Sequence, residues 1–121
     1  MTTPHDIEAN VLSEIERLTQ HDLAEFAKRL LVPVRCEERA WDYGAEEQRY
    51  PCWIFAEHDE SNTAFAYCLH GFGPSCPWGI LSIHGPHLSI GMDSGWFATL
   101  EGALRDSMAW EGVNPPGYEV E

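Results

Sequence analysis

Two runs constrain this chain more than any other feature of it: Tyr50 to Glu57 and Thr63 to His70. Both are short, apolar and rich in aromatic residues, and the turn formers His58-Asp59-Glu60-Ser61-Asn62 separate them. A hairpin is the natural reading. With Glu57 opposite Ala64, one face carries Cys52, Ile54, Ala56, Phe65, Tyr67 and Leu69, and the other carries Trp53, Phe55, Ala66 and Cys68. Both faces are apolar, unlike a strand pair with one side in water. Each side therefore needs cover. The N-terminal helices are expected on one, and the C-terminal helix, a folded loop or a second copy of the chain on the other.

Residues 5–31 read as helix. Ile7, Val11, Ile15 and Leu18 recur at helical spacing, and Leu23, Phe26, Ala27 and Leu30 do so again after a break. Thr19 is expected to cap a second helix, with Asp22 in the place of a capping-box glutamate, unless one long helix kinks there. Pro33 is expected to stop the run. Val34 to Trp41 alternates weakly and suggests an edge strand, followed by an acidic connection from Asp42 to Gln48.

Residues Gly71 to Gly79 are a loop by composition, with Phe72 and Trp78 expected to fold back on the sheet so as not to leave a sticky surface. The near-mirror pattern Ile80-Leu81-Ser82-Ile83-His84 and His87-Leu88-Ser89-Ile90 around Gly85-Pro86 suggests a second hairpin. Gly85 would take the first central position of a type II′ turn. In that register His84 pairs with His87, Leu81 with Ile90, Ile80 with Gly91 and Gly79 with Met92. Asp93-Ser94-Gly95 is a turn, and Thr99 caps a last helix from Leu100 to about Trp110, with Ala103, Leu104 and Met108 on its apolar stripe. The whole is an α+β domain spanning residues 1–121. Its expected core is a mostly antiparallel sheet of four to five strands, built from two hairpins, with N-terminal helices and a C-terminal helix packed on it.

Charge narrows the function. Twenty acids face seven lysines and arginines, and fourteen of those acids fall within residues 1–60. Such a balance disfavours a phosphate backbone or an anionic membrane as partner. No apolar run approaches the ~18 residues of a membrane span. The start, Met1 to Leu12, has neither the basic region nor the apolar core of a signal peptide, so a cytoplasmic location with reduced cysteines is expected.

Dinucleotide, P-loop and zincin motifs are absent, and no cofactor is expected. Cys68, His70, Cys76, His84 and His87 are metal-ligand types within twenty residues, but they lack the paired C-x2-C knuckles of a strong zinc signature. A core cysteine and turn-flanking histidines account for them more simply. Cys76 is the one thiol with histidines at hand to serve as a nucleophile, in surroundings too acidic to favour a thiolate.

The expected function is a non-enzymatic protein-binding module. In general character a small, acidic, Trp-rich α+β chain resembles bacterial immunity and inhibitor proteins, an analogy of class that implies neutralisation of a basic partner. Trp41 and Tyr43 are the candidate anchors, flanked by Glu37, Glu38, Asp42, Glu46 and Glu47. A small Cys/His enzyme or metal protein is one alternative. A homodimer, which would explain the doubly apolar hairpin, is another.

Overall fold

The computed structural model describes residues 2–41, 49–85, 88–91 and 93–112. Helix α1 (Pro4–Glu16) opens on a full capping box: Thr3 Oγ1 accepts from the Asp6 N–H at 3.2 Å, and Asp6 Oδ2 accepts from the Thr3 N–H at 3.0 Å. Pro4 occupies the first turn, where its missing N–H costs nothing. Ile7, Val11 and Ile15 form its buried stripe.

The second helix, α2 (His21–Leu30), is a separate one and buries Leu23, Phe26 and Ala27. Its cap is Gln20 without a side-chain hydrogen bond, so Thr19 does not cap it as expected. Pro33 does not end it either. The chain turns from Leu30 directly into strand β1 (Leu31–Arg39), and Pro33 sits exposed inside that strand. The pairing of β1 is irregular between Leu31 and Arg35. A strand at the sheet edge tolerates proline because its outward N–H has no ladder partner to lose.

Strands β2 (Tyr50–His58), β3 (Thr63–Tyr67), β4 (Trp78–Ser82) and β5 (Trp96–Phe97) complete an antiparallel sheet in the order β1-β2-β3-β4-β5. The first hairpin holds Glu57 opposite Ala64, as its turn requires. Beyond Ala56 it departs from a simple ladder. Ala56 faces Phe65 but Ile54 faces Ala66, so Phe55 is a bulged residue. The bulge exchanges the faces: Cys52 and Ile54 lie with Ala64, Ala66 and Cys68, while Phe55, Ala56 and Phe65 share the other side with Trp53 and Tyr67.

Both faces are covered within the single chain. The helices α1 and α2 cover the Phe65 side together with α3 (Leu100–Asp106), which contributes Leu100, Ala103 and Leu104. The C-terminal helix thus joins the N-terminal pair on one face. On the Cys52 side the cover is loop: Phe72, Cys76, Ile83 and Ile90, with Trp41, Tyr50 and Trp96 at its margins. Phe72 meets Trp41 edge-on at 5.7 Å and lies 6.2 Å from Trp96. Trp78 also turns inward, from β4, onto Phe55 and Tyr67.

The expected second hairpin does not form. β4 already has neighbours on both sides, with Gly79 opposite Ala66 on β3 and Trp96 on β5. The chain leaves the sheet after Ser82 and is held by Asn62, whose side chain accepts from the Ile83 and His84 N–H groups and donates to the His84 carbonyl. Ser89 instead forms a parallel bridge with Ala40, and the Ile90 N–H donates to the Ala40 carbonyl at 2.9 Å. Pro86, His87 and Met92 lie outside the described residues.

Thr99 caps α3 through the Gly102 N–H as expected, but the helix ends at Asp106. Met108 therefore leaves the apolar stripe and is 78 % exposed, whereas Trp110 packs 5.1 Å from Phe26. Among the described residues no helix is long and apolar enough to cross a membrane.

Candidate functional site

The residues proposed as anchors from the sequence meet different fates. Glu37 projects from β1 opposite Cys52 and is bound on both sides by its own chain. Arg35 Nε lies 2.8 Å from one carboxylate oxygen, and Arg39 Nη2 lies 2.8 Å from the other. Burial would push the Glu37 carboxyl up, but these two hydrogen-bonded guanidinium groups outweigh it and hold its pKa below the ordinary value. Arg39 is itself buried, and it also donates to the Ser82 carbonyl at 2.9 Å. That reach from β1 to β4 spans the two strands between them, over a face kept low by Cys52, Ala64 and Ala66. Glu37 is in this sense part of the fold.

Glu38 is exposed, and Trp41 is half-buried against Phe72. Asp42, Tyr43, Glu46 and Glu47 lie outside the described residues.

The Cys/His candidates are dispersed. Cys68 is fully buried, Cys76 partly so, and His70 and His84 are exposed, while His87 lies outside the described residues. Among the described residues no three His, Cys, Asp or Glu side chains are grouped so as to hold a metal ion. The bulge at Phe55 creates a different juxtaposition. With Trp53 opposite Tyr67, Cys52 comes opposite Cys68, where the unbulged register would have put Leu69. The Cys52 sulfur also lies 3.5 Å from the Tyr50 carbonyl oxygen.

Sequence reasoning missed a third feature, at the outer side of β1. Helix α1 presents Glu8, Leu12 and Glu16 at successive i+4 positions, and Leu12 is 45 % exposed. Leu12 borders a cleft of about 60 Å³ between α1 and β1, floored by Val11, Leu31, Val32 and Val34, with Glu8 at its rim. Among the described residues the outer edge of β1 makes no strand pairing, apart from the bridge at Ala40 just past its end. The signal available beforehand was a leucine placed between two glutamates on the polar side of an amphipathic helix.

Charge is segregated as well. Arg17, Lys28, Arg35, Arg39 and Arg105 each pair with a carboxylate of this chain. Glu8, Glu16, Asp22, Asp106 and Glu111 are exposed on the helical layer and its margins. By contrast, the thirty-two residues between Glu60 and Asp93, which supply most of the loop cover, contain no Asp, Glu, Lys or Arg. Comparison with protein-family models, curated proteins and solved structures finds no match to this chain.

Proposed function

We propose that this domain is a protein-binding module that takes a basic, amphipathic segment of a partner along the outer side of β1. The observation that carries the reading is the cleft beside an unpaired edge strand, apolar on its floor and acidic on its rim. An edge strand offers a row of main-chain donors and acceptors to an incoming chain. Leu12, Val32 and Val34 would receive apolar side chains, and Glu8 and Glu16 would meet lysines or arginines. Glu38, near the far end of β1, adds a further exposed carboxylate along the same strand. Because five of the seven basic residues are tied to internal carboxylates, the acidic excess remains available for complementarity. Rim charges of this kind mainly accelerate encounter, and the apolar contacts slow release.

A titration with a designed lysine-leucine amphipathic peptide tests the reading, with oligolysine of equal charge as control. The amphipathic peptide should bind with an affinity that falls as salt rises, and Leu12→Asp should weaken it at least tenfold. Glu8→Lys with Glu16→Lys should lower the association rate more than it raises the dissociation rate. Equal binding of oligolysine, or full binding by Leu12→Asp, would show that the cleft plays no part.

A further inference from the structure

We propose that Cys52 and Cys68 are a reversible redox pair, closing a disulfide between β2 and the end of β3 when the domain meets a hydroperoxide. The first support is position. Residues directly opposite in an antiparallel ladder have Cα atoms about 4.5–5.5 Å apart, inside the ~4.4–6.8 Å range a disulfide spans. Cys52 and Cys68 occupy such opposed positions, one step beyond the Trp53–Tyr67 pair. Their side chains share one face of the sheet, and both residues are fully buried.

The surroundings then distinguish the two sulfurs. The adjacent Cys52 thiol first, and the main chain of His70 and Gly71 after it, favour the thiolate form of Cys68. Together with the nearby His70 ring these hold the Cys68 thiol down, to about 6, against the opposing effect of burial. Cys52 is correspondingly pushed up, by Cys68 first and by burial second. Cys68, just past the end of β3 and beside half-exposed Gly71, is the attacking sulfur, and Cys52, inside β2, is the resolving one.

Access is the remaining requirement. A Cβ placed on Gly71 would lie 3.2 Å from Ile90 Cδ1 and 3.6 Å from Cys68 Sγ, so the Gly71 main chain and the Ile90 side chain lie beside the sulfur. Gly71 is itself half-exposed. The 69–76 loop and the Ile90 side chain cover the sulfur, a cover that a small peroxide passes when the loop opens locally.

The chemistry balances. The Cys68 thiolate attacks one peroxide oxygen, the O–O bond breaks, and the departing alkoxide takes a proton from water to leave as ROH. Cys68 is now a sulfenic acid, oxidised by two electrons. Cys52 then attacks the Cys68 sulfur, the S–O bond breaks, and the hydroxyl leaves as water with the Cys52 proton. The sum is two thiols and ROOH giving a disulfide, ROH and water. A dithiol reductant reverses it by exchange.

Cys36 and Cys76 are poorer participants. Cys36 is opposite Trp53, and its thiol is pushed up by burial and by Glu38. Cys76 is only partly buried, in the loop cover.

The test exposes the full chain to hydrogen peroxide, then alkylates it in denaturant and reads the intact mass and the cross-linked peptides. Two of the four thiols should become resistant to alkylation, with a Cys52–Cys68 linked peptide that dithiothreitol removes. Cys52→Ser should accumulate a sulfenic acid at Cys68, trapped by dimedone. Cys36→Ser with Cys76→Ser leaves the buried pair untouched and should form the same linkage as the wild type, so it decides the matter even if the buried-site variants fail to fold. Four alkylatable thiols after exposure would overturn the proposal. So would linkage through Cys36 or Cys76, or oxidation of Cys68 in the wild type that stops short of a disulfide.

Discussion

Gly79→Ala is expected to destabilise the domain by about 2–4 kcal/mol. A Cβ at Gly79 would stand 2.5 Å from three atoms of the Trp96 ring, whereas carbon atoms pack at about 3.5–4.0 Å. The ring must therefore retreat by about 1 Å or more. It has little room to do so, since Trp96 is 2 % exposed and its Nε1–H donates to the Ile90 carbonyl at 2.7 Å in the buried loop cover. Overpacking of this kind costs about 1–3 kcal/mol, and disturbing a buried hydrogen bond adds about 1–3 kcal/mol. The entropy gained by replacing glycine in the unfolded chain returns only about 0.4–1 kcal/mol. Urea denaturation followed by far-UV circular dichroism reads the difference, with an unchanged m value showing that the transition stays two-state. The same substitution in a Trp96→Leu background should cost much less, because the clash partner is gone. A neutral or stabilising Gly79→Ala, or an equal cost in both backgrounds, would refute the packing of Trp96 over β4.

Ile54 is 0 % exposed on the loop-covered face, and Ile54→Ala should cost about 2–5 kcal/mol by urea denaturation; a loss under ~1 kcal/mol would place it outside the core. The lowered Glu37 carboxyl gives the acid limb of stability a defined sign. Its contribution is complete above the unfolded value of about 4.3 and is lost as pH falls through the lower folded value. Glu37→Gln should therefore lower stability at neutral pH and flatten the decline below about pH 4.3, and an unchanged pH profile would contradict the Arg35–Glu37–Arg39 arrangement.

What the sequence made legible was local. The hairpin turn at residues 58–62, the double burial of its strands, the Thr99 cap and the inward fold of Phe72 all follow from composition and spacing within a few residues. The bulge at Phe55 was not legible, because Tyr50 to Glu57 contains no glycine to mark it and packing on two faces decides it. Without it Cys52 faces Leu69 and the thiol pair does not exist. The mirror pattern around Gly85-Pro86 misled for a related reason. Its apolar and polar positions match across the expected turn, but Ala66 and Trp96 take both edges of β4 at Gly79, and Ser89 bridges Ala40 instead. Pro33 misled in the opposite direction, since its strand lies at an edge where a missing N–H is no handicap.

The uncharged span from Ser61 to Met92 bears on how the molecule moves as well as on what it touches. Glu8, Glu16, Asp22 and Asp106 are exposed on the helical layer, whereas residues 61–92 carry no formal charge other than histidine. An approaching cationic body is therefore attracted to the exposed carboxylates of that layer more than to the uncharged span. Steering of that kind shortens the rotational search and leaves the loop layer over Cys52 and Cys68 away from the incoming charge.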